Sequence, residues 1–303
     1  SEKIKISVIG AGLMGHGIAF EFAKFGHEVT LFDISQNKLK LAKDKIEKLI
    51  SNKSGYDSYR EITFMKNLKE SILGAEIVIE AINENYDAKV DLYSKIEKFL
   101  DNKSLIISNT SSLLPSKLSK NLQRPERFFV THYFNPPYNI PLVEIVPTLE
   151  TDIRNIDKIK KLYFEMNKNP VVLKKEINGF IANRLQAAIQ RESINLVEQE
   201  IATPQDIDNI VKNTFGRRLS VAGPFEIWEQ IGWDLVEKIL LEILPNLSNK
   251  KSPSKLIEEK VLQKKLGFST NEGFYKWDTK KKEKLVDAIS KNLILLRDFN
   301  SNE

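Results

Sequence analysis

The chain has 303 residues, 41% hydrophobic and 29% charged, a balance that suits a globular protein of two domains rather than a disordered or fibrous one. It contains no cysteine and three histidines, which excludes disulfide frameworks, thiolate metal sites and thiol nucleophiles and leaves few candidates for an imidazole base. The net charge of +5 comes from lysines scattered over many segments, the pattern of solvated helix faces rather than of a nucleic-acid footprint. No apolar run approaches the roughly 20 residues that span a bilayer. A strand pattern begins at Lys3, so no signal peptide is expected. The expectation is a soluble, cytoplasmic protein whose partner is neither a membrane nor nucleic acid.

Ile4 to Ile9 reads as a buried strand, followed by Gly10-Ala11-Gly12-Leu13-Met14-Gly15 and a helical pattern through Phe25. Gly10 suits a tight turn, Gly12 a close approach of backbone to a pyrophosphate, and Gly15 close packing of helix on strand. The helix start adds backbone donors and the positive end of a dipole. A second strand, Glu28 to Phe32, ends in Asp33, 18 residues after Gly15. A carboxylate there can accept from a ribose hydroxyl and would repel the 2′-phosphate of NADP, so NAD is the expected cofactor; a helix cap is the bland alternative. His16 and His27 read as local residues without catalytic duty. Asn37 to about Tyr59 is helical and lysine-rich at first, then polar and loop-like at Asn52-Lys53-Ser54-Gly55.

Further strands are expected at Ile77–Ala81 and Leu105–Ser108, with a helix from Ala88 to Leu100 between them. Strands alternating with helices imply right-handed crossovers and a parallel sheet, with ligands beyond the carboxyl ends of the strands. Glu80, Asn83, Glu84 and Asn85 follow one such end, and Asn109-Thr110-Ser111-Ser112 the next. Ser111 suits either a helix cap or a hydroxyl aimed at substrate. Phe128–Tyr133 and Leu142–Val146 read as two strands joined by Asn135-Pro136-Pro137-Tyr138-Asn139-Ile140-Pro141, a stiff loop. His132 lies in the first and Glu144 in the second, where a carboxylate needs a partner. They suit a base and its orienting carboxylate, or a core histidine satisfied by a backbone carbonyl.

After a helix at Ile153–Asn167 and a strand at Pro170–Leu173, the pattern becomes helical throughout. Phe180 to Ile201 reads as one long helix with an apolar stripe at Ile181, Leu185, Ala188, Ile189, Leu196 and Val197, wide enough to be buried. Pro204 and Gly216 punctuate the start and end of the next, and Gly223-Pro224-Phe225-Glu226 opens another that carries Trp228 and Trp233. The domain boundary is set near Ile177, giving 1–176 and 177–303. The bulky apolar residues of the second part suit either its core or a dimer interface. The lysine-rich runs from Lys250 to Lys284 read as solvated helix faces.

From Ile4 to Trp277 the chain resembles the L-3-hydroxyacyl-CoA dehydrogenase family. The likeness rests on Gly10-Ala-Gly-Leu-Met-Gly-His-Gly-Ile-Ala, Ser108-Asn-Thr-Ser-Ser, His132-Tyr-Phe-Asn-Pro, Asn178-Gly-Phe-Ile-Ala-Asn-Arg, Gly223-Pro-Phe-Glu and Glu272-Gly-Phe-Tyr, in the family's order. The resemblance implies a Rossmann-type, doubly wound, mostly parallel sheet followed by a smaller all-α domain for substrate and dimerisation. It implies His132 as base with Glu144 paired to it, Ser111 against substrate and cofactor, and Asn183 near the substrate oxygen. For NAD it implies the turn at Gly10, Gly12, Leu13, Met14 and Gly15, then Asp33, Glu84, Lys89, Ser111 and Asn135. No metal enters this chemistry.

The first expectation for the substrate is a short 3-hydroxyacyl-CoA of the 3-hydroxybutyryl type, which implies fatty acid metabolism. Three departures set this chain apart from acyl-CoA relatives, and the third resembles another branch, that of L-gulonate 3-dehydrogenase and lambda-crystallin. The span between Asp33 and Glu80 is short for a helical arm against coenzyme A. Phe268-Ser269 stands where many relatives have a lysine pair. Asn135-Pro-Pro-Tyr-Asn-Ile-Pro, Leu114-Pro-Ser-Lys-Leu and Lys175-Glu-Ile-Asn-Gly-Phe resemble the free-acid branch, as does Arg218, which could bind a carboxylate bidentately or be an ordinary surface arginine. A free 3-hydroxy acid is therefore the alternative substrate, and a crystallin-like protein without turnover the alternative function.

Overall fold

In the computed structural model, residues 2–51 and 56–300 are described, the last four of them for backbone only; Asn52-Lys53-Ser54-Gly55 lies outside the described residues. The chain divides into two units, Ser1–Ile181 and Ala182–Glu303. In the first, the elements run β1 (Lys5–Ile9), α1 (Gly15–Lys24), β2 (Glu28–Phe32), α2 (Gln36–Ser51), β3 (Thr63–Met65), α3 (Leu68–Ile72), β4 (Ile77–Glu80), α4 (Tyr86–Ile96), β5 (Leu105–Ser108), α5 (Pro115–Ser119), β6 (Phe128–Tyr133), β7 (Leu142–Pro147), α6 (Ile153–Glu165) and β8 (Asn169–Val172). The second holds α7 (Ala182–Glu198), α8 (Pro204–Asn213), α9 (Phe215–Leu219), α10 (Pro224–Ile231), α11 (Trp233–Ile243), α12 (Lys255–Leu262) and α13 (Thr279–Asn300).

Among the described residues the first unit has one eight-stranded sheet, ordered β3-β2-β1-β4-β5-β6-β7-β8. Strands β1 to β6 are parallel; β7 pairs antiparallel with β6, and β8 runs parallel to β7. The central strands are continuously apolar because both faces are covered. Ile77 and Ile79 of β4 enter one core with Ile6, Val8 and Phe129, and Val78 enters the other with Ile9, Ile106 and Phe128. This is the mostly parallel, doubly wound fold expected. Strand order reverses between β1 and β4, which opens a crevice at their carboxyl ends.

Several boundaries differ from expectation for local reasons. β3, α3 and α5 are too short to leave a periodic signal. The long helix expected from Phe180 starts at Ala182, because Phe180 takes a left-handed φ of 51° in the preceding turn. Gly216 lies inside α9 instead of ending the helix before it; a Cβ there would stand 2.6 Å from the Val211 carbonyl oxygen, so the glycine permits α8 and α9 to meet. Gly232, at φ 96°, breaks the expected tryptophan helix in two, so that Trp228 belongs to α10 and Trp233 opens α11. Of the stripe expected to be buried on α7, Leu185 and Ile189 are exposed at 56% and 46%.

Candidate active site

The turn after β1 is built by steric exclusion. Gly10 has φ 106°, and a Cβ on it would meet the Ala81 carbonyl oxygen at 2.5 Å; a Cβ on Gly15 would lie 1.7 Å from the Gly10 carbonyl oxygen. Gly12 has nothing within 4 Å of the corresponding position, so the turn offers bare backbone to open space there. Leu13 is exposed, and Met14 packs partly against the core at the head of α1. Asp33, 6% exposed, accepts from the Ala11 N–H through Oδ2 at 2.9 Å and from the Ser35 N–H through Oδ1 at 2.8 Å. It therefore braces the glycine turn, while Ser35 Oγ accepts from the Lys38 N–H in the first turn of α2. Gly10, Gly12, Asp33, Ile34 and Asn83 help to line a cavity of about 380 Å³. A pyrophosphate-sized approach at Gly12, a helix start without acidic residues and a carboxylate beside the cavity all fit a dinucleotide.

At the ends of β4 and β5 lies a buried polar cluster. Glu80, fully buried, accepts from Lys89 Nζ at 2.6 Å, the Tyr93 hydroxyl at 2.6 Å, Ser108 Oγ at 2.7 Å and the Ile82 N–H at 2.8 Å. Lys89, 1% exposed, also reaches Glu84 Oε2 at 3.3 Å. Glu84 Oε1 gathers the next loop: it accepts from Thr110 Oγ1 at 2.5 Å, from the Ser111 and Ser112 N–H groups at 3.1 Å each, and from Ser112 Oγ at 2.9 Å. Burial pushes the Glu84 carboxyl up, but Thr110, Lys89 and Ser112 outweigh it and hold it below the usual range. Ser111 is not the cap of a helix, since α5 begins at Pro115; its backbone is held by Glu84. The expected residues Glu84, Lys89 and Ser111 thus form one connected network, with Lys89 buried behind the carboxylates.

His132 and Glu144 face each other directly across the β6–β7 ladder. His132 Nδ1 is 2.8 Å from Glu144 Oε2, and the two residues are 5% and 2% exposed. Glu144 Oε1 accepts from the Ile181 N–H at 3.0 Å, so both carboxylate oxygens are engaged. An ionised carboxylate can only accept, which assigns the Nδ1 proton to His132 and leaves Nε2 as the acceptor of a neutral ring. Phe134 and Phe180 flank that ring at centroid distances of 4.4 and 5.5 Å. Asn109 Oδ1 accepts from the Tyr133 N–H at 2.9 Å and ties the end of β6 to the loop after β5. Asn135 is exposed at the head of the loop beyond.

The other two expected residues belong to the second unit: Asn183 in the first turn of α7, and Arg218 exposed on α9. His16 Nδ1 lies 2.9 Å from the Gly12 carbonyl, a local contact, whereas His27 Nδ1 accepts from the Ile4 N–H at 3.4 Å, 23 residues away. Glu80 was placed at a strand end without a role, although a carboxylate closing the run Ile77-Val78-Ile79 signals an obligatory partner. Lys168 and Glu21, a buried pair at 2.8 Å, had no comparable signal because they are distant in sequence.

A doubly wound sheet with this glycine turn defines a dinucleotide-binding fold, and the comparisons with known proteins identify its kind. Residues 5–177 match the NAD binding domain of 3-hydroxyacyl-CoA dehydrogenase, and residues 179–277 match its C-terminal domain. The chain belongs to the 3-hydroxyacyl-CoA dehydrogenase family, whose members act on CH–OH groups with NAD. It is 33% identical over 290 residues to the mitochondrial hydroxyacyl-coenzyme A dehydrogenase of Rattus norvegicus, covering 90% of each chain. It is 34% identical over 231 residues to the lambda-crystallin homolog of Mus musculus, covering 73% of this chain and 72% of the other. The 5-formyl-3-hydroxy-2-methylpyridine 4-carboxylate 5-dehydrogenase of Mesorhizobium japonicum is 27% identical over 298 residues, 96% of each chain. A crystal structure of a dehydrogenase for that carboxylic acid, an NAD+-dependent dismutase, superposes with a TM-score of 0.93 over 98% of each chain at 27% identity.

Proposed function

We propose that this protein oxidises the secondary alcohol of a small free 3-hydroxy acid, with His132 as the base. The observation that carries the reading is the buried His132–Glu144 pair at 2.8 Å, in which Nδ1 is engaged by the carboxylate and Nε2 is the ring nitrogen left to meet a substrate hydroxyl. NAD, when bound, accepts the hydride from the carbinol carbon. Gly10, Gly12, Leu13, Met14, Gly15 and Asp33 would hold its pyrophosphate and ribose, and Glu84, Ser111 and Asn135 its nicotinamide half, with Lys89, 1% exposed, acting through Glu84 and not by contact. His132 Nε2 takes the hydroxyl proton, and ionised Glu144 favours the imidazolium that forms. The Ser111 hydroxyl, on a backbone fixed by Glu84, and the Asn183 carboxamide donate to the substrate oxygen as its charge changes. Arg218 is the candidate partner for a free carboxylate.

The free acid is favoured by the likeness to the pyridine carboxylic acid dehydrogenase over nearly the whole chain. The second reading is a short 3-hydroxyacyl-CoA of the 3-hydroxybutyryl type, within fatty acid metabolism, favoured by the identity with the hydroxyacyl-coenzyme A dehydrogenase. The likeness to the lambda-crystallin homolog keeps a third reading, NAD binding without turnover. We further propose that the protein acts in the cytoplasm as a homodimer through residues 177–303, the part that also supplies Asn183 and Arg218 to the substrate. The deciding experiment offers L-3-hydroxybutyryl-CoA, free L-3-hydroxybutyrate and L-gulonate side by side and follows NADH. Turnover with a free acid supports the first reading, turnover confined to the thioester supports the second, and NAD binding without NADH supports the third.

A further inference from the structure

The loop joining β6 to β7 carries Asn135 and separates His132 from Glu144, and it is held by a side chain to which the chemistry above gives no part. Lys168, in the turn between α6 and β8, is 6% exposed. An ammonium has three protons, and each finds an acceptor: Glu21 Oε2 at 2.8 Å, the Ile140 carbonyl at 3.2 Å and the Pro137 carbonyl in a short hydrogen bond. Its Nζ lies 5.9 Å from the centroid of the Tyr133 ring, the residue after His132. Glu21 is buried on α1, where Lys24 Nζ reaches its other oxygen at 3.1 Å. The loop meets α1 twice more. A Cβ on Gly17 would stand 3.0 Å from Pro137 Cδ, and the Tyr138 ring packs edge-on against Phe20 at 6.1 Å. The helix whose first turn borders the cofactor cradle is therefore also the floor of this loop.

Stability alone is a poor reason for such a pair. Desolvating a lysine and a glutamate is costly, and apolar residues of similar size commonly serve a core as well or better. Burial pushes the Lys168 ammonium below its ordinary range despite the attraction of Glu21. What apolar residues cannot supply is two donors aimed at the carbonyls of a loop whose three prolines have no N–H of their own. We propose that Lys168 and Glu21 are positioning residues for the dehydrogenase reaction, clamping residues 134–141 onto α1 and so keeping His132 and Asn135 in register with the cofactor cradle. The proposal rests on the reading of His132 as the base.

The test is the double variant Lys168→Met/Glu21→Met of the full chain, which removes both charges and keeps the volume. It is expected to melt with the wild-type protein, while a peptide covering residues 134–141 exchanges its amide hydrogens faster. Turnover is expected to fall about 10–100-fold, the scale of a small misplacement of reacting groups. NAD affinity by calorimetry should change far less than turnover. Unchanged exchange in the loop, or a loosened loop with full turnover, overturns the proposal, as does a general loss of stability without any local change at 134–141. If the double variant does not fold, Glu21→Gln, which keeps shape and one hydrogen bond, is read on the same scales. If the wild-type protein oxidises none of the alcohols offered, the reading of His132 fails, and exchange in the loop alone upholds or overturns the clamp.

Discussion

A histidine with one ring nitrogen bound to a buried carboxylate is committed to a single tautomer, and the consequence at His132 is testable. His132→Gln keeps a polar side chain of similar reach but no group that can take a proton near neutral pH. Turnover is expected to fall by about 10²–10⁴, with calorimetric NAD binding retained; near-normal turnover sinks the assignment of the base. The glycine turn permits a sharper contrast. At Gly15 an added methyl meets a carbonyl oxygen at 1.7 Å, so Gly15→Ala displaces backbone and lowers stability. At Gly12 the same methyl meets nothing of the protein. Gly12→Ala should leave the unfolding free energy within about 0.5 kcal/mol of wild type yet weaken NAD binding about tenfold or more, a change of about 1.4 kcal/mol or more. Equal NAD affinity in that variant would remove Gly12 from the cofactor surface. These residues were legible in the sequence because each is tied to a strand end by short local spacing. Glu80 was legible only as a carboxylate closing an apolar run, and Lys168 not at all, because its partner Glu21 is distant in sequence.

The elements β1, α1 and β2 share a feature that sets a pH dependence. His27 is buried just before β2 and His16 in the first turn of α1. Burial pushes the His27 imidazole below its ordinary value of 6.5, and Lys3 adds to this. Burial also lowers His16, with Lys45 adding and the hydrogen bond to the Gly12 carbonyl opposing. Both shifts have the same sign: the unfolded chain binds protons at a higher pH than the folded one. Stability from these groups is complete above pH 6.5 and is lost as pH falls through 6.5 toward the lowered values. The ladder sharpens this at His27, whose Nδ1 must stay unprotonated to accept the Ile4 N–H. The melting temperature should fall between about pH 7.5 and pH 5.5, and His27→Gln, which can still accept that hydrogen bond, should flatten the decline. Identical declines in the two proteins would rule out His27 as a contributor. At this scale the sheet was legible wherever a strand is buried on both faces and reads as an unbroken apolar run. Helix ends in the second unit were not, because Gly216 and Gly232 act through contacts and positive φ that periodicity does not register.

At the scale of the whole molecule, the two units differ in how they bury their apolar residues. The first closes three buried clusters around its sheet, whereas among the described residues of the second unit just Ile227 and Val236 are buried hydrophobics. Leu185 and Ile189 on α7, and Phe225, Trp233 and Leu241 around α10 and α11, are exposed at 45% or more. Trp233, Val236, Leu240, Leu241 and Leu244 line an apolar groove of about 370 Å³. A periodic apolar stripe looks the same in sequence whether its own chain or another copy covers it, so the expectation of burial on α7 could not be resolved from periodicity. Exposed apolar residues in such number suit an interface, and the proposed homodimer names its occupant. Sedimentation equilibrium should then return twice the chain mass of 34.8 kDa. Leu241→Glu places a charge where an apolar contact is expected, and burying an unpaired carboxylate is strongly unfavourable. The variant should shift to monomer at micromolar concentration while keeping the first unit folded, visible as retained NAD binding. A wild-type protein that sediments as a monomer, or a variant that stays dimeric, would overturn this interface and leave the groove to another partner.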